Sequence, residues 1–315
     1  MVYLIIFKLI PAQFFVGAFA VPISVLCLFF ELNILRNVSV YRVARFVFVG
    51  GVLSLFYSML MYLFHLEEST IFWAGPIEEF GKLLAMIVVA EGSGKLKSSS
   101  ILGVLGLPFD LLIGKGVASG KQYKWILNGL LFGASVGVGF AVFETMGYAF
   151  EAFFAVLSVG GSFNDAVSIM QQNIFNRGVL SPFCHVVWSA ICGGALWSVR
   201  NDGEWHWHRL LHLRLLAFVI VASFLHGLWD VACSDPNAYF WFAGIGLMAW
   251  GIVFMQIRSG IRQVRMAKEE ILVQSEPQSQ ICCPNCGRAY AYDPKLAGVV
   301  VRCGSCKNEF VVEAE

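Results

Sequence analysis

The sequence predicts an all-α polytopic membrane protein with about seven transmembrane helices and a small β module at its C-terminus. Three observations carry that prediction. Hydrophobic residues make up 58% of the 315 residues, charged residues only 14%, and the mean hydropathy is +0.71. A soluble domain carries about 45–50% apolar and about 25% charged residues, so lipid must cover the excess. The apolar residues gather in long stretches, and nearly all Lys and Arg outside the tail fall on one side of them.

A membrane-spanning helix needs roughly 20 mainly apolar residues. Seven stretches meet that length, near 10–30, 46–64, 71–90, 126–150, 180–199, 214–233 and 238–257. Ile101–Gly114 is apolar but has only 14 residues, with Pro108 and Asp110 inside, and reads as re-entrant or interfacial. Ala18-Phe19-Ala20 has the form of a signal-peptide cleavage site, yet the apolar run continues ten residues past it, which favours an uncleaved span.

Cytoplasmic loops are enriched in Lys and Arg. Alternate connections here hold fifteen such residues, and the opposite side holds only Lys8 and Arg177. The N-terminus is therefore expected outside and the C-terminus in the cytoplasm. The formal net charge of +1 says nothing about a partner, and the sequence gives no clear sign of nucleic acid.

Ionisable groups inside a span cost at least about 2.5–3.5 kcal/mol and are functional candidates by default. The third stretch carries Glu78, Glu79 and Lys82, the fourth Glu144, the fifth His185, and the sixth His226 and Asp230. Glu78 and Lys82 are four residues apart, as are His226 and Asp230, so each pair shares a helix face. Counted from the outer ends, Glu78, Glu144, His185 and His226 all fall within roughly 8–12 Å of the outer surface at about 1.5 Å per residue. Four carboxylates against Lys82 leave a formal −3, which demands protons, charged imidazoles or a metal cation. Hydrogen bonds gluing the bundle, or the relay of a proton- or ion-coupled transporter, would use the same residue types. A non-catalytic scaffold is a third reading.

At these residues the chain resembles the PrsW-type intramembrane proteases. Glu78-Glu79-Phe-Gly-Lys82 matches their EExxK motif, Phe140-Ala-Val-Phe-Glu144 their FxxxE, His185 their lone His, and His226-Gly-Leu-Trp-Asp230 their HxxxD. These enzymes are distant relatives of the type II CAAX prenyl endopeptidases, which have His where Glu144 stands. The resemblance implies hydrolysis of a peptide bond in a membrane-anchored protein near the extracytoplasmic side, as with an anti-sigma-factor-like regulator, in a bacterial inner membrane. Two mechanisms stay open. Glu78 or Glu79 holds a water without metal while His226 stabilises the oxyanion, or His185, His226 and Glu144 bind Zn²⁺. The absence of an HExxH helix tips the reading slightly toward the metal-free version. Lys82 is expected to pair with Glu78, and Asp230 to orient His226.

The tail reads Cys283-Pro-Asn-Cys286, sixteen residues, then Cys303-Gly-Ser-Cys306. Two C-x₂-C knuckles at this separation signal a Cys₄ zinc ribbon, with Cys282 a neighbour and not a ligand. The expected layout is a transmembrane domain over 1–260, a basic helix and linker over 261–280, and the ribbon over 281–312. In the cytoplasm the thiols stay reduced, and the ribbon is expected to dock an unidentified cytoplasmic partner. His206, His208 and His212 read as part of an interfacial Trp/His belt in contact with membrane lipids.

Overall fold

A computed structural model describes residues 9–63, 71–92, 123–200, 207–235, 237–275, 280–292 and 296–312. Ile101–Gly114 and His206 lie outside them. Two compact units emerge, Met1–Gln263 and Val264–Glu315.

The first unit is helical. Helix α1 (Ile10–Leu32) is followed by α2 (Val40–Arg45), which runs through a π-helical turn at Phe46–Gly50 into α3 (Gly51–Leu63). Then come α4 (Ala74–Glu91), α5 (Ile126–Ser158), α6 (Phe163–Leu180), α7 (His185–Ser198), α8 (Leu213–Ala232) and α9 (Ala238–Ser275). Among the described residues six helical segments are long and apolar enough to cross a membrane. The seventh expected span forms α4, which is 18 residues long but carries Glu78, Glu79, Lys82 and Glu91, too many charges to count by composition. The other differences lie at the ends. The second span starts earlier, at Val40, and the fourth continues to Ser158. Helix α6 was not expected, because its Asn, Gln and Arg residues dilute any apolar run. Its start is nonetheless capped, with the Ser162 hydroxyl accepting from Asp165 N–H at 3.1 Å.

Helix α5 is the axis of this unit. Its first half is buried on all sides, and α7 packs along it. Gly129, Gly133 and Gly137 recur every fourth residue and face α7. A methyl group on Gly133 would collide with the Ser189 carbonyl, and one on Gly129 with the Gly193 carbonyl. Small residues at this spacing let membrane helices approach to backbone contact. The second half of α5 pairs with α6 through Ala149, Phe153, Ala166, Met170 and Ile174, with Phe14 of α1 alongside.

Polar ties complete the bundle. Asn128 donates to Asn37 at 2.8 Å and to Asn33 at 3.1 Å, joining α5 to the segment after α1. Gln171 of α6 donates to Gln13 of α1 at 2.7 Å, and Gln256 of α9 to the Ile191 carbonyl of α7 at 3.0 Å. His212 sits at the start of α8, where its Nδ1 accepts from Arg214 N–H.

The second unit holds two antiparallel hairpins. Strand β1 (Gln280–Cys282) pairs with β2 (Ala289–Ala291), and β3 (Val300–Arg302) with β4 (Glu309–Val311). Each hairpin turns through one Cys-x-x-Cys knuckle. A left-handed residue follows each knuckle, Gly287 at φ 70° in the first and Lys307 at φ 64° in the second.

Candidate active site

Four helices converge on one cluster. On α4, Gly75 lies against the backbone of Ser223 and Gly227 in α8, so no side chain separates these two helices there. That contact brings Glu78 and Glu79 beside His226. The glycine face of α5 does the same for α7, placing His185 opposite Phe140 and Glu144. All seven ionisable residues singled out from the sequence meet in this cluster.

The geometry sorts them into layers. Glu78, Glu144, His185, His226 and Asp230 line a cleft of about 420 Å³, and Glu79 and Lys82 lie fully buried beside it. Lys82 Nζ pairs with the expected Glu78, at 3.5 Å from Oε2, and more closely with Glu79, donating to its Oε1 at 2.8 Å. The ammonium also lies 3.0 Å from His185 Nδ1 and 3.9 Å above the Phe140 ring.

These contacts fix the tautomer of His185 and the position of one proton on His226. An ammonium has donors only, so His185 Nδ1 is an acceptor and the ring proton sits on Nε2. That Nε2–H faces Glu144 Oε2 at 2.9 Å. His226 is the mirror case. Its Nδ1 lies 3.1 Å from Glu79 Oε1, and a carboxylate only accepts, so Nδ1 is protonated. Nε2 of His226 then points to Glu78 Oε2 at 3.5 Å and to Asp230 Oδ2 at 3.6 Å. The second distance exceeds hydrogen-bond reach, and Asp230 Oδ2 is a buried oxygen with no hydrogen-bond partner among the described residues. Trp188 stacks on His226 with ring centroids 4.4 Å apart.

Three residues with ligand atoms within 4.8 Å of one another are Glu78, His185 and His226. The two inner imidazole nitrogens, His185 Nδ1 and His226 Nε2, lie 3.9 and 3.5 Å from Glu78 Oε2. Neighbouring ligands in a tetrahedral zinc site are roughly 3.3–3.6 Å apart, given bonds of about 2.0–2.2 Å. Glu144, expected in the ligand set, is instead held by His185 and by the guanidinium of Arg177 at 2.5 Å. The donor set therefore fits a divalent cation. Lys82 competes for the lone pair of His185 and keeps Glu79 as its shorter partner.

Two residues of the site escaped sequence reading. Tyr62 of α3 donates to Glu78 Oε1 at 2.8 Å, but a tyrosine in an apolar run gives no signal. Arg177, counted as an outer-loop charge, reaches into the cleft from α6. One of only two basic residues on the side depleted in Lys and Arg, it offered that much of a hint. With it the cluster carries a formal −2, which one dication balances.

In the ribbon, Cys283, Cys286, Cys303 and Cys306 come together, with sulfur separations of 3.6 Å for Cys283–Cys306 and 3.7 Å for Cys286–Cys303. Tetrahedral Zn–S bonds of about 2.3 Å put sulfurs about 3.8 Å apart. The Cys303 thiol is drawn down to about 5, chiefly by the Cys306 backbone N–H and then by the Tyr290 hydroxyl, and the thiolate is the form that binds metal. Cys282 is exposed on β1, outside the cluster.

No curated protein and no solved structure matches the chain. A family profile for PrsW intramembrane metalloproteases matches residues 13–257. That region contains every residue of the cleft described above and extends over more than half of the chain, which belongs to the PrsW family of intramembrane metalloproteases.

Proposed function

We propose that the chain cleaves a membrane-anchored protein substrate near the extracytoplasmic face, in the cleft between α4, α5, α7 and α8, with a divalent cation held by Glu78, His185 and His226. The regulator class suggested by resemblance, an anti-sigma-like protein, belongs to the same proposal. One observation carries the reading: His185 Nδ1 and His226 Nε2 both face one oxygen of Glu78, at 3.9 and 3.5 Å, and the other nitrogen of each ring meets a carboxylate. Such outer carboxylates orient imidazoles at metal sites. A bound cation would polarise the scissile carbonyl and make water a better nucleophile at neutral pH.

The chain's own residues supply the rest. Asp230 lines the cleft and its Oδ2 has no hydrogen-bond partner among the described residues, so it can take a proton from water and return it to the leaving amine. Glu79 and Lys82 hold the interior edge of the site. Trp188 of α7 stacks on His226, and Trp229 of α8 meets Trp188 edge-on with ring centroids 5.7 Å apart. The Lys/Arg count supports an outward-facing cleft and a ribbon in the cytoplasm of a bacterial cell.

The test is cleavage of a co-expressed single-span substrate. Glu78→Gln is expected to lose roughly 10³-fold or more in kcat/KM, the scale for one member of a catalytic unit. A folded Glu78→Gln protein cleaving at near wild-type rate ends the assignment. Full activity in chelator-stripped chain would remove the cation and leave Glu78 as a metal-free base.

A further inference from the structure

We propose that Arg177 is a positioning residue for the peptidase site, acting through Glu144 to hold His185 in the Nε2-protonated form. The inference rests on the cleft being the hydrolytic site, and its basis is a symmetry in the cluster. His226 is backed by Glu79, and Glu79 by the ammonium of Lys82. His185 is backed by Glu144, and Glu144 by the guanidinium of Arg177. Each imidazole therefore has one carboxylate and one cation behind it. Lys82 belongs to the EExxK motif, but its counterpart comes from α6, outside all four motifs.

Arg177 is itself held in place. Its Nε donates to the Thr145 hydroxyl at 3.3 Å, and its guanidinium carbon lies 4.3 Å from the centroid of the Tyr148 ring. Glu144, Thr145 and Tyr148, on two adjacent turns of α5, thus receive one guanidinium. Glu144 is 13% exposed at its side chain, so a negative charge there without Arg177 would face a mostly dry surround. The carboxylate would then be drawn to the other cation of the cluster, Lys82, and pull that ammonium away from His185 Nδ1. Glu144 then accepts less well from His185 Nε2–H, and Nδ1 loses the donor that keeps it bare, which frees the ring to adopt the opposite tautomer and turn a proton toward Glu78. Helix α6 then has a role in the chemistry as well as in packing.

The experiment uses full-length chain in detergent with ¹⁵N-labelled histidine, the His185 signals being identified by their loss in His185→Gln. The wild type is expected to show His185 protonated at Nε2 and bare at Nδ1. Arg177→Met should blur that pattern into an average of tautomers, and Arg177→Lys should restore it. In a ribbon-silenced Cys303→Ser background, zinc affinity at the cleft should fall roughly 10–100-fold in Arg177→Met, the usual scale for outer-layer partners of metal ligands. An Arg177→Met protein that keeps the wild-type imidazole pattern overturns the proposal. If Arg177→Met does not fold, Arg177→Lys decides: a folded Lys variant that loses the pattern overturns it, and one that keeps it supports it. Absence of any zinc binding at the cleft would remove the cation from the proposed function, while the imidazole pattern still judges Arg177.

Discussion

Tyr62 holds one oxygen of Glu78 at 2.8 Å and so leaves the other turned toward both imidazoles. Tyr62→Phe removes that restraint with almost no change in shape. It is expected to cost roughly 10–100-fold in zinc affinity at the cleft, with protein abundance unchanged; an unaltered affinity would show that Glu78 needs no restraint. A second expectation follows from the layering of Glu79 behind His226. Glu79→Gln and His226→Ala should each lose most of the activity, and the double variant should be hardly worse, since residues of one unit are far from additive. Additive losses in single-turnover cleavage would separate the two roles. The seven ionisable residues were readable because each interrupts an apolar run at a cost that stability alone does not explain. Tyr62 and Arg177 were not, since a phenol is ordinary in a span and a charge on a polar segment looks like a loop charge.

Among the elements, α5 sets how closely α7 can bring His185. Gly133→Leu would force α7 away from α5 and is expected to destabilise the bundle by about 1–3 kcal/mol or more, read as thermal unfolding in detergent. Gly147→Ala on the same helix meets nothing within 4 Å. It should be tolerated, with a gain of about 0.5–1 kcal/mol from helix propensity. Equal responses at the two positions would remove close approach as the reason for the glycine face. Glycines at 129, 133 and 137 were in plain view in the sequence, and their spacing marks a helix contact without saying which helix is met. The end of α5 and all of α6 were harder to read. Past residue 150 the chain stays aromatic with only Glu151 as a charge, so nothing marks where lipid stops, and α6 is too polar to register as a span.

At the scale of the whole molecule, the chain divides near Gln263 into units that fold on separate grounds, one on helix packing and one on a cysteine cluster. Cys303→Ser should lose one zinc per chain while the membrane unit keeps its unfolding temperature; a concerted loss would tie the two together. Reporters fused after Phe254 and near Asp235 are expected to read cytoplasmic and extracytoplasmic respectively, and reversal at both sites would overturn the orientation. Helix α5 has a further consequence as a ruler. Glu144 lies eighteen residues beyond Ile126, about 27 Å along an unbroken helix. A hydrocarbon core is about 30 Å thick, so one rigid rod fixes the catalytic depth while the lipid around it varies. Long-chain lipids would draw the cleft into hydrocarbon and exclude water, and short-chain lipids would leave it in the headgroups, out of reach of a substrate helix. Turnover in vesicles should therefore pass through a maximum as acyl length is changed, with the chain equally folded on both sides of it.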